Sequence, residues 1–265
     1  MCPQVIKHTA QDFSQVMSFI EVFQGQHPTA WYRGCADTSH NLTPSLLRHP
    51  SKKTAEDLHR LELELAASFT QRSRPFVHQT FSDEWEATFF MQHYGIPTRL
   101  LDWTESPFVG LYFSLSGSKR DKKNKVIADV ALWMLDPAAW NKSALVDISY
   151  KGGILDSKKE QVKSYGPSGQ LEERKNLPIM IHGTHNSARI VAQRGTFALF
   201  GKSMKSMEDS FNEQIFQEGT LQQLIIKKEY VDEVASSLFR KGISDSTVYP
   251  DVFGLSLELR RSFGF

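Results

Sequence analysis

The sequence predicts an α+β protein. Apolar residues recur at helical spacing in several segments and alternate with period two in others, and the two kinds follow one another irregularly, not as repeated strand–helix–strand units. With 265 residues, 40% hydrophobic and 23% charged, the chain lies in the ordinary globular range. It is long enough to bury a full core, and residues 1–265 are expected to form one domain.

Residues 12–24 place Phe13, Val16, Met17, Ile20 and Phe23 on one helical face, and Gly25 ends them. TAWYRGCA (29–36) reads as a short strand carrying Tyr32 and Arg33. From Thr54, a cap with Asp57 three positions on, Leu58, Leu61, Leu65 and Phe69 form the stripe of a surface helix. Residues 83–95 open with Asp83 and Glu86 in capping-box spacing, carry Trp85, Phe89 and His93 up one side, and stop at Gly95 and Pro97. Residues 98–101 read as a short strand. Ser106 and Pro107 are the N-cap and first residue of a helix with Phe108, Leu111, Tyr112 and Leu115 inward.

Residues 116–125 are a solvated turn, and 125–135 a strand in which Val126, Ala128, Val130 and Leu132 alternate. Polar, lysine-rich residues 141–176 are expected to be a partly mobile insertion, a candidate lid, with some helix near 158–163. Residues 187–201 read as two short strands hinged at Arg194 and Gly195. A last strand at 221–228, an amphipathic helix closed by Gly242 and a helix from Pro250 complete the chain.

The charge balance, +1, supplies no bulk attraction to nucleic acid or to an anionic membrane, although a local basic face at 202–205 is compatible with it. Two cysteines, Cys2 and Cys35, make neither a disulfide framework nor a zinc cage. No signal peptide and no apolar run of membrane length is visible, so a cytoplasmic protein without a membrane partner is expected. The Rossmann, P-loop, HExxH, CxxC and GxSxG motifs are absent. His182 and His185 lie three apart without a third ligand at suitable spacing, so no metal site is expected.

One stretch stands apart. In FMQHYGIPTRLLDWTESPF (90–108), His93, Tyr94, Thr98, Arg99, Asp102, Trp103 and Thr104 crowd where a helix end, a strand and a helix start converge. Polar groups amid that much apolar and aromatic bulk mark a pocket.

WYRG (31–34), LTPSLLR (42–48), QHYGIPTRLLDWTESPFVGLYF (92–113), RIVAQRGTFALF (189–200) and GISDSTVYPDVFGL (242–255) resemble, in order, the blocks of the FRG domain, named for its Phe/Tyr-Arg-Gly motif. That family occurs in bacterial toxin and phage-defence settings, which implies a neutralising antitoxin protein as partner. A looser similarity links the chain to ADP-ribosyltransferases of the Arg-Ser-Glu class and implies their split mixed sheet with flanking helices. Tyr32-Arg33-Gly34 is similar to the strand holding the NAD diphosphate, and Asp102-Trp103-Thr104 followed by SPFVGLYFS resembles the Ser-Thr-Ser strand and its helix. Gln193 stands at the third motif, where Gly195 replaces the catalytic Glu. The resemblance implies NAD as substrate and an acceptor that is nucleic acid, RNA above all, or protein. The missing Glu leaves room for plain NAD hydrolysis, and a non-catalytic nucleotide-sensing or protein-interaction module is a further alternative.

Cleavage of the nicotinamide–ribose bond passes through an oxocarbenium-like state with a neutral leaving group, so orientation matters more than acid catalysis; it supplies about 7–11 kcal/mol. The planar fork of Arg33 suits a diphosphate, with Arg99 a second candidate for phosphate. Tyr94, Trp103 and Phe108 are candidates to line or stack on the dinucleotide; Thr98 and Thr104 donate to polar groups. Asp102 accepts from a ribose hydroxyl or supports the cation, and His93 and Gln193 complete the catalytic set. Each has a structural alternative: Arg33 paired with Asp102, His93 capping carbonyls, Trp103 in the core, Arg99 holding the Pro97 turn, and Gln193 with Gly195 marking a bulge.

Overall fold

The computed structural model describes residues 2–77, 80–184 and 187–265. The chain opens with β1 (Ile6–Ala10), unanticipated because five residues show no clear period and its partner lies near the other end of the chain. Asp12 caps α1 (Phe13–Gln26) by accepting from the Gln15 amide at 2.8 Å, and the helix runs through Gly25 before stopping. β2 (Trp31–Cys35) follows, then α2 (Ala55–Arg72), capped by Thr54. In α3 (Glu84–His93), Asp83 caps the Glu86 amide, while the Glu86 carboxylate accepts from the Ser82 amide at 2.7 Å. β3 (Leu100–Thr104) starts later than the spacing suggests, so Asp102, Trp103 and Thr104 belong to the strand. α4 (Pro107–Ser116), β4 (Val130–Leu135) and α5 (Pro137–Ala144) come next.

Residues 141–176 are anchored more firmly than their polarity suggests. They contain the end of α5, β5 (Leu155–Asp156) and α6 (Glu160–Lys163), and Leu155, Val162 and Tyr165 are fully buried. After β6 (Ile179–His182), residues 187–201 form one helix and one strand, α7 (Ala188–Gln193) and β7 (Gly195–Leu199), not the two strands expected. Ile190 and Val191 have strand character, but Ser187 caps the Ile190 amide and starts a helix. Arg194, at φ 47°, turns the chain into β7. α8 (Met207–Glu213), β8 (Leu221–Ile226), α9 (Val231–Phe239), α10 (Asp245–Val248) and α11 (Val252–Ser262) finish the chain. No helix among the described residues is long and apolar enough to cross a membrane.

The strands form one mixed sheet of eight in the order β1-β8-β4-β2-β3-β7-β6-β5, with helices on both faces. The outer pairs β1–β8 and β5–β6 are parallel, and the inner pairs antiparallel. Between β2 and β3 a single pair, Tyr32 with Thr104, joins the two halves. Alternation then sets Tyr32, Gly34, Leu100, Asp102 and Thr104 on one face and Trp31, Arg33, Cys35, Leu101 and Trp103 on the other. The first face carries two separate cores, one under α1, α4 and α9 around Leu132 and Leu224, the other under α3 around Phe197 and Ile181. The second face carries one continuous core, from Trp31 and Trp133 to Trp103, Phe200 and α8.

Candidate functional site

A cleft of about 480 Å³ opens where β2 and β3 part. Because the strands separate there, side chains of both sheet faces reach it. Of the residues singled out by sequence, Tyr32, Arg33, Gly34, His93, Asp102, Trp103, Thr104 and Gln193 line it.

Arg33 and Asp102 meet, but not as an ion pair. The guanidinium Nη1 of Arg33 donates to the main-chain carbonyl of Asp102. The exposed Asp102 carboxylate accepts instead from Gln92 Nε2, at 3.0 and 2.9 Å to its two oxygens. Burial, and after it the positive charge of Arg189, hold the His93 imidazole below its usual value, against the pull of Asp102 and Asp251. A neutral His93 at pH 7 is available as a proton acceptor.

Other residues reach the cleft with their polar groups already engaged. The Thr104 hydroxyl donates to the Gln193 carbonyl at 2.6 Å and accepts from the Ser106 amide at 3.0 Å, joining β3 to the ends of α7 and α4. The Gln193 amide donates to the Val248 carbonyl at 3.2 Å, and the residue ends a helix; it does not lie on a strand. Gly195, in the position that the resemblance gives to a catalytic Glu, pairs with Thr104. Gly34 lines the cleft, yet what requires a glycine there is α4: a Cβ would lie 2.1 Å from the Gly110 carbonyl oxygen. Trp103 is buried in the second-face core, and its Nε1 and the Thr196 Oγ1 across the ladder are buried without a partner among the described residues.

Tyr94, Thr98, Arg99 and Phe108 fall outside the lining. Tyr94 is 65% exposed and packs on Phe90, its ring 4.6 Å away. Thr98 is buried behind Gln92 and donates to it. Arg99 is enclosed by Glu62 and main-chain carbonyls, which corrects its assignment to phosphate. Phe108 packs on the core under α4, which corrects its assignment to the dinucleotide.

The structure adds Gln92, Arg48, Phe113, Arg189 and Tyr249. Gln92 sits inside the QHYG block, one position before His93, and a rule counting every polar residue of that block would have included it. Arg189 lies over the Tyr249 ring, 4.9 Å from its centroid, and bonds to Asp251 at 3.0 Å. Nothing local to either sequence segment signals that pairing. Among the described residues no group of three or more His, Cys, Asp or Glu side chains could hold a metal. His182 lies edge-on to Trp31, and His185 falls outside the described residues.

No curated protein and no solved structure matches the chain. The family model of the FRG domain matches residues 28–124, which include β2, α3, β3 and α4 and both sides of the split in the sheet. The blocks at 189–200 and 242–255 lie beyond that match. Arg33, Gln92, His93 and Asp102 all lie within it, so the residues that match the FRG domain build the centre of the cleft.

Proposed function

We propose that the cleft binds NAD and that the protein transfers ADP-ribose from it to an acceptor, RNA in the first instance. The observation that carries this reading is the meeting of Arg33 and Asp102 at the split, with the carboxylate left without a cation. Arg33, joined by Arg48 on the same cleft, suits a diphosphate. Phe113 and Tyr249 supply apolar and aromatic surface for the nicotinamide. The glycosidic bond between ribose C1′ and the nicotinamide nitrogen breaks, its electron pair leaving with neutral nicotinamide. Asp102 stabilises the positive charge developing on the ribose. The acceptor oxygen or nitrogen then bonds to C1′ and gives its proton to His93.

A hydrolytic version has one observation in its favour. Gly195 leaves β7 without a carboxylate where the related class places a Glu to activate its acceptor, so water suits the acceptor position. Consumption of NAD, or modification of RNA, also fits a toxin or phage-defence effector held in check by an antitoxin protein.

The test is incubation with adenine-labelled NAD and separate pools of RNA, DNA and protein, with free nicotinamide measured alongside. Label in one pool supports transfer. Nicotinamide without label supports hydrolysis. A thermal shift with NAD but no product of either kind supports a non-catalytic nucleotide sensor and overturns the enzymatic reading. Arg33→Ala should abolish product, and Arg33→Lys should restore little because an ammonium lacks the planar fork.

A further inference from the structure

We propose that Gln92 is a positioning residue that presents the Asp102 carboxylate to the cleft without a direct ion pair, a role that rests on the ADP-ribosyl-transfer reading above.

The hydrogen bonds fix the direction of each donor. The Leu100 amide donates to Thr98 Oγ1 at 3.0 Å, so the Thr98 hydroxyl proton turns to Gln92 Oε1, 2.5 Å away. With Oε1 committed to that hydroxyl, the nitrogen end of the amide faces Asp102 and holds both carboxylate oxygens. The chain of bonds begins on a buried residue and ends on an exposed one, so the fold's interior sets the carboxylate's orientation.

The choice of donor matters as much as the geometry. A guanidinium in the place of Gln92 would orient the carboxylate equally well and cancel most of its field at the ribose. A neutral amide orients it and leaves the charge. Arg33 reinforces the separation by donating to the main-chain carbonyl of the same residue: it fixes the Asp102 backbone without pairing with the side chain. Among the described residues no cationic nitrogen lies within ion-pair distance of the Asp102 carboxylate. A positive charge growing on the ribose therefore meets a preoriented carboxylate that no cation pairs with directly, the arrangement that stabilises a transition state more than a ground state.

Three substitutions test this, with melting temperature followed throughout. Gln92→Met keeps the length and removes the amide; kcat should fall roughly 10²-fold with KM for NAD little changed, because position and not binding is lost. Gln92→Lys, which brings a cation to the same carboxylate, should fall at least as far. Thr98→Val should approach Gln92→Met and add nothing in the double variant, whereas Thr98→Ser, which keeps the hydroxyl, should retain wild-type kcat. A Gln92→Lys enzyme with wild-type kcat, or Gln92→Met and Thr98→Val effects that multiply, overturns the proposal.

A readout independent of NAD separates this proposal from the reading beneath it. The Gln92 side-chain amide should exchange slowly with solvent by NMR in the wild-type protein and quickly in Thr98→Val. Fast exchange in the wild type overturns the positioning role whether or not NAD is consumed. Slow exchange with no NAD turnover overturns the reading of the cleft instead.

Discussion

Arg99 and Glu62 form a buried ion pair in which the guanidinium Nε lies 2.8 Å from both carboxylate oxygens. Arg174 brings a second guanidinium to the same carboxylate, at 3.3 Å, and donates to the Gly166 carbonyl at 3.0 Å. Arg99 also donates to the carbonyls of Tyr165 and Phe200. Burial, and next the charge of Arg99, push the Arg174 guanidinium down to about 10. One acid thus holds two cations and ties α2 to β3 and to the 165–174 segment.

Removing that acid strands both guanidinium groups. Glu62→Gln should lower stability by about 3–5 kcal/mol in urea denaturation, since an uncompensated buried charge costs more than the pair contributes. Arg174→Met, which removes the surplus cation, should cost clearly less. Equal losses in the two variants would refute this account of the cluster.

Gly34 and Gly110 let α4 lie directly on β2. A Cβ on Gly34 would stand 2.1 Å from the Gly110 oxygen and 2.4 Å from the Ser114 nitrogen, and one on Gly110 would stand 2.9 Å from Tyr32 Cβ. Gly34→Ala should therefore lose about 3 kcal/mol through displaced backbone. Gly25→Ala, inside α1 with nothing within 4 Å, should gain about 0.5–1 kcal/mol. Thermal melts of the two variants should move in opposite directions, and a shared direction counts against the contact.

Asp245 fastens the C-terminal helix to the core. Its carboxylate accepts from Tyr112 Oη at 2.5 Å and from two Arg261 nitrogens at 3.0 and 2.9 Å. Burial alone would raise its carboxyl, but the bonds from Arg261 and Tyr112 outweigh burial and hold it below the usual range. A depressed folded value means that the unfolded chain binds the proton more readily. The stabilisation is present above the unfolded carboxylate value, about 3.9, and is lost as pH falls below it. Asp245→Asn should be less stable at pH 7 and lose less on going from pH 5 to pH 2, as read from urea midpoints. Asp129 and Asp251 are lowered as well, so the acid slope should shrink without vanishing.

His93 should respond to Arg189. Since the positive charge of Arg189 opposes protonation of the imidazole, Arg189→Gln should move the His93 titration upward, towards its ordinary value. The imidazole C–H shifts followed by NMR across pH 4–8 (about the range in which histidine titrates) measure it directly. A downward movement would mean that Arg189 acts on His93 by some route other than its charge.

Local chemistry was legible in the sequence and long-range pairing was not. Asp12, Thr54, Asp83 and Ser106 each cap an amide three residues on, so their helices start where the residue types say. Ser187 does the same, but Ile190 and Val191 beside it favour strand, and their weight concealed a six-residue helix. The residue types could not assign the two arginines: Arg99 of the RLLDWT segment turns to Glu62, 37 positions away, while Arg33 of β2 reaches the main chain of Asp102. The hydrophilic look of 141–176 reflects exposed lysines, and a few buried side chains, Tyr165 above all, determine where the segment sits. Nothing in the sequence marks Gln92, because amides are common on helix surfaces; only the neighbours on both sides give it a task.

The lone Tyr32–Thr104 pair makes the sheet mechanically two plates with a seam. Prising the seam apart disrupts one rung and the bond from Arg33 to the Asp102 carbonyl, about 1 kcal/mol of net hydrogen bonding per bond lost, while the ladders on either side stay whole. Behind it, the continuous tryptophan-rich layer resists separation and serves as the pivot. Any widening of the mouth must therefore separate Arg33 from Asp102, one on each plate, and break the bond between them.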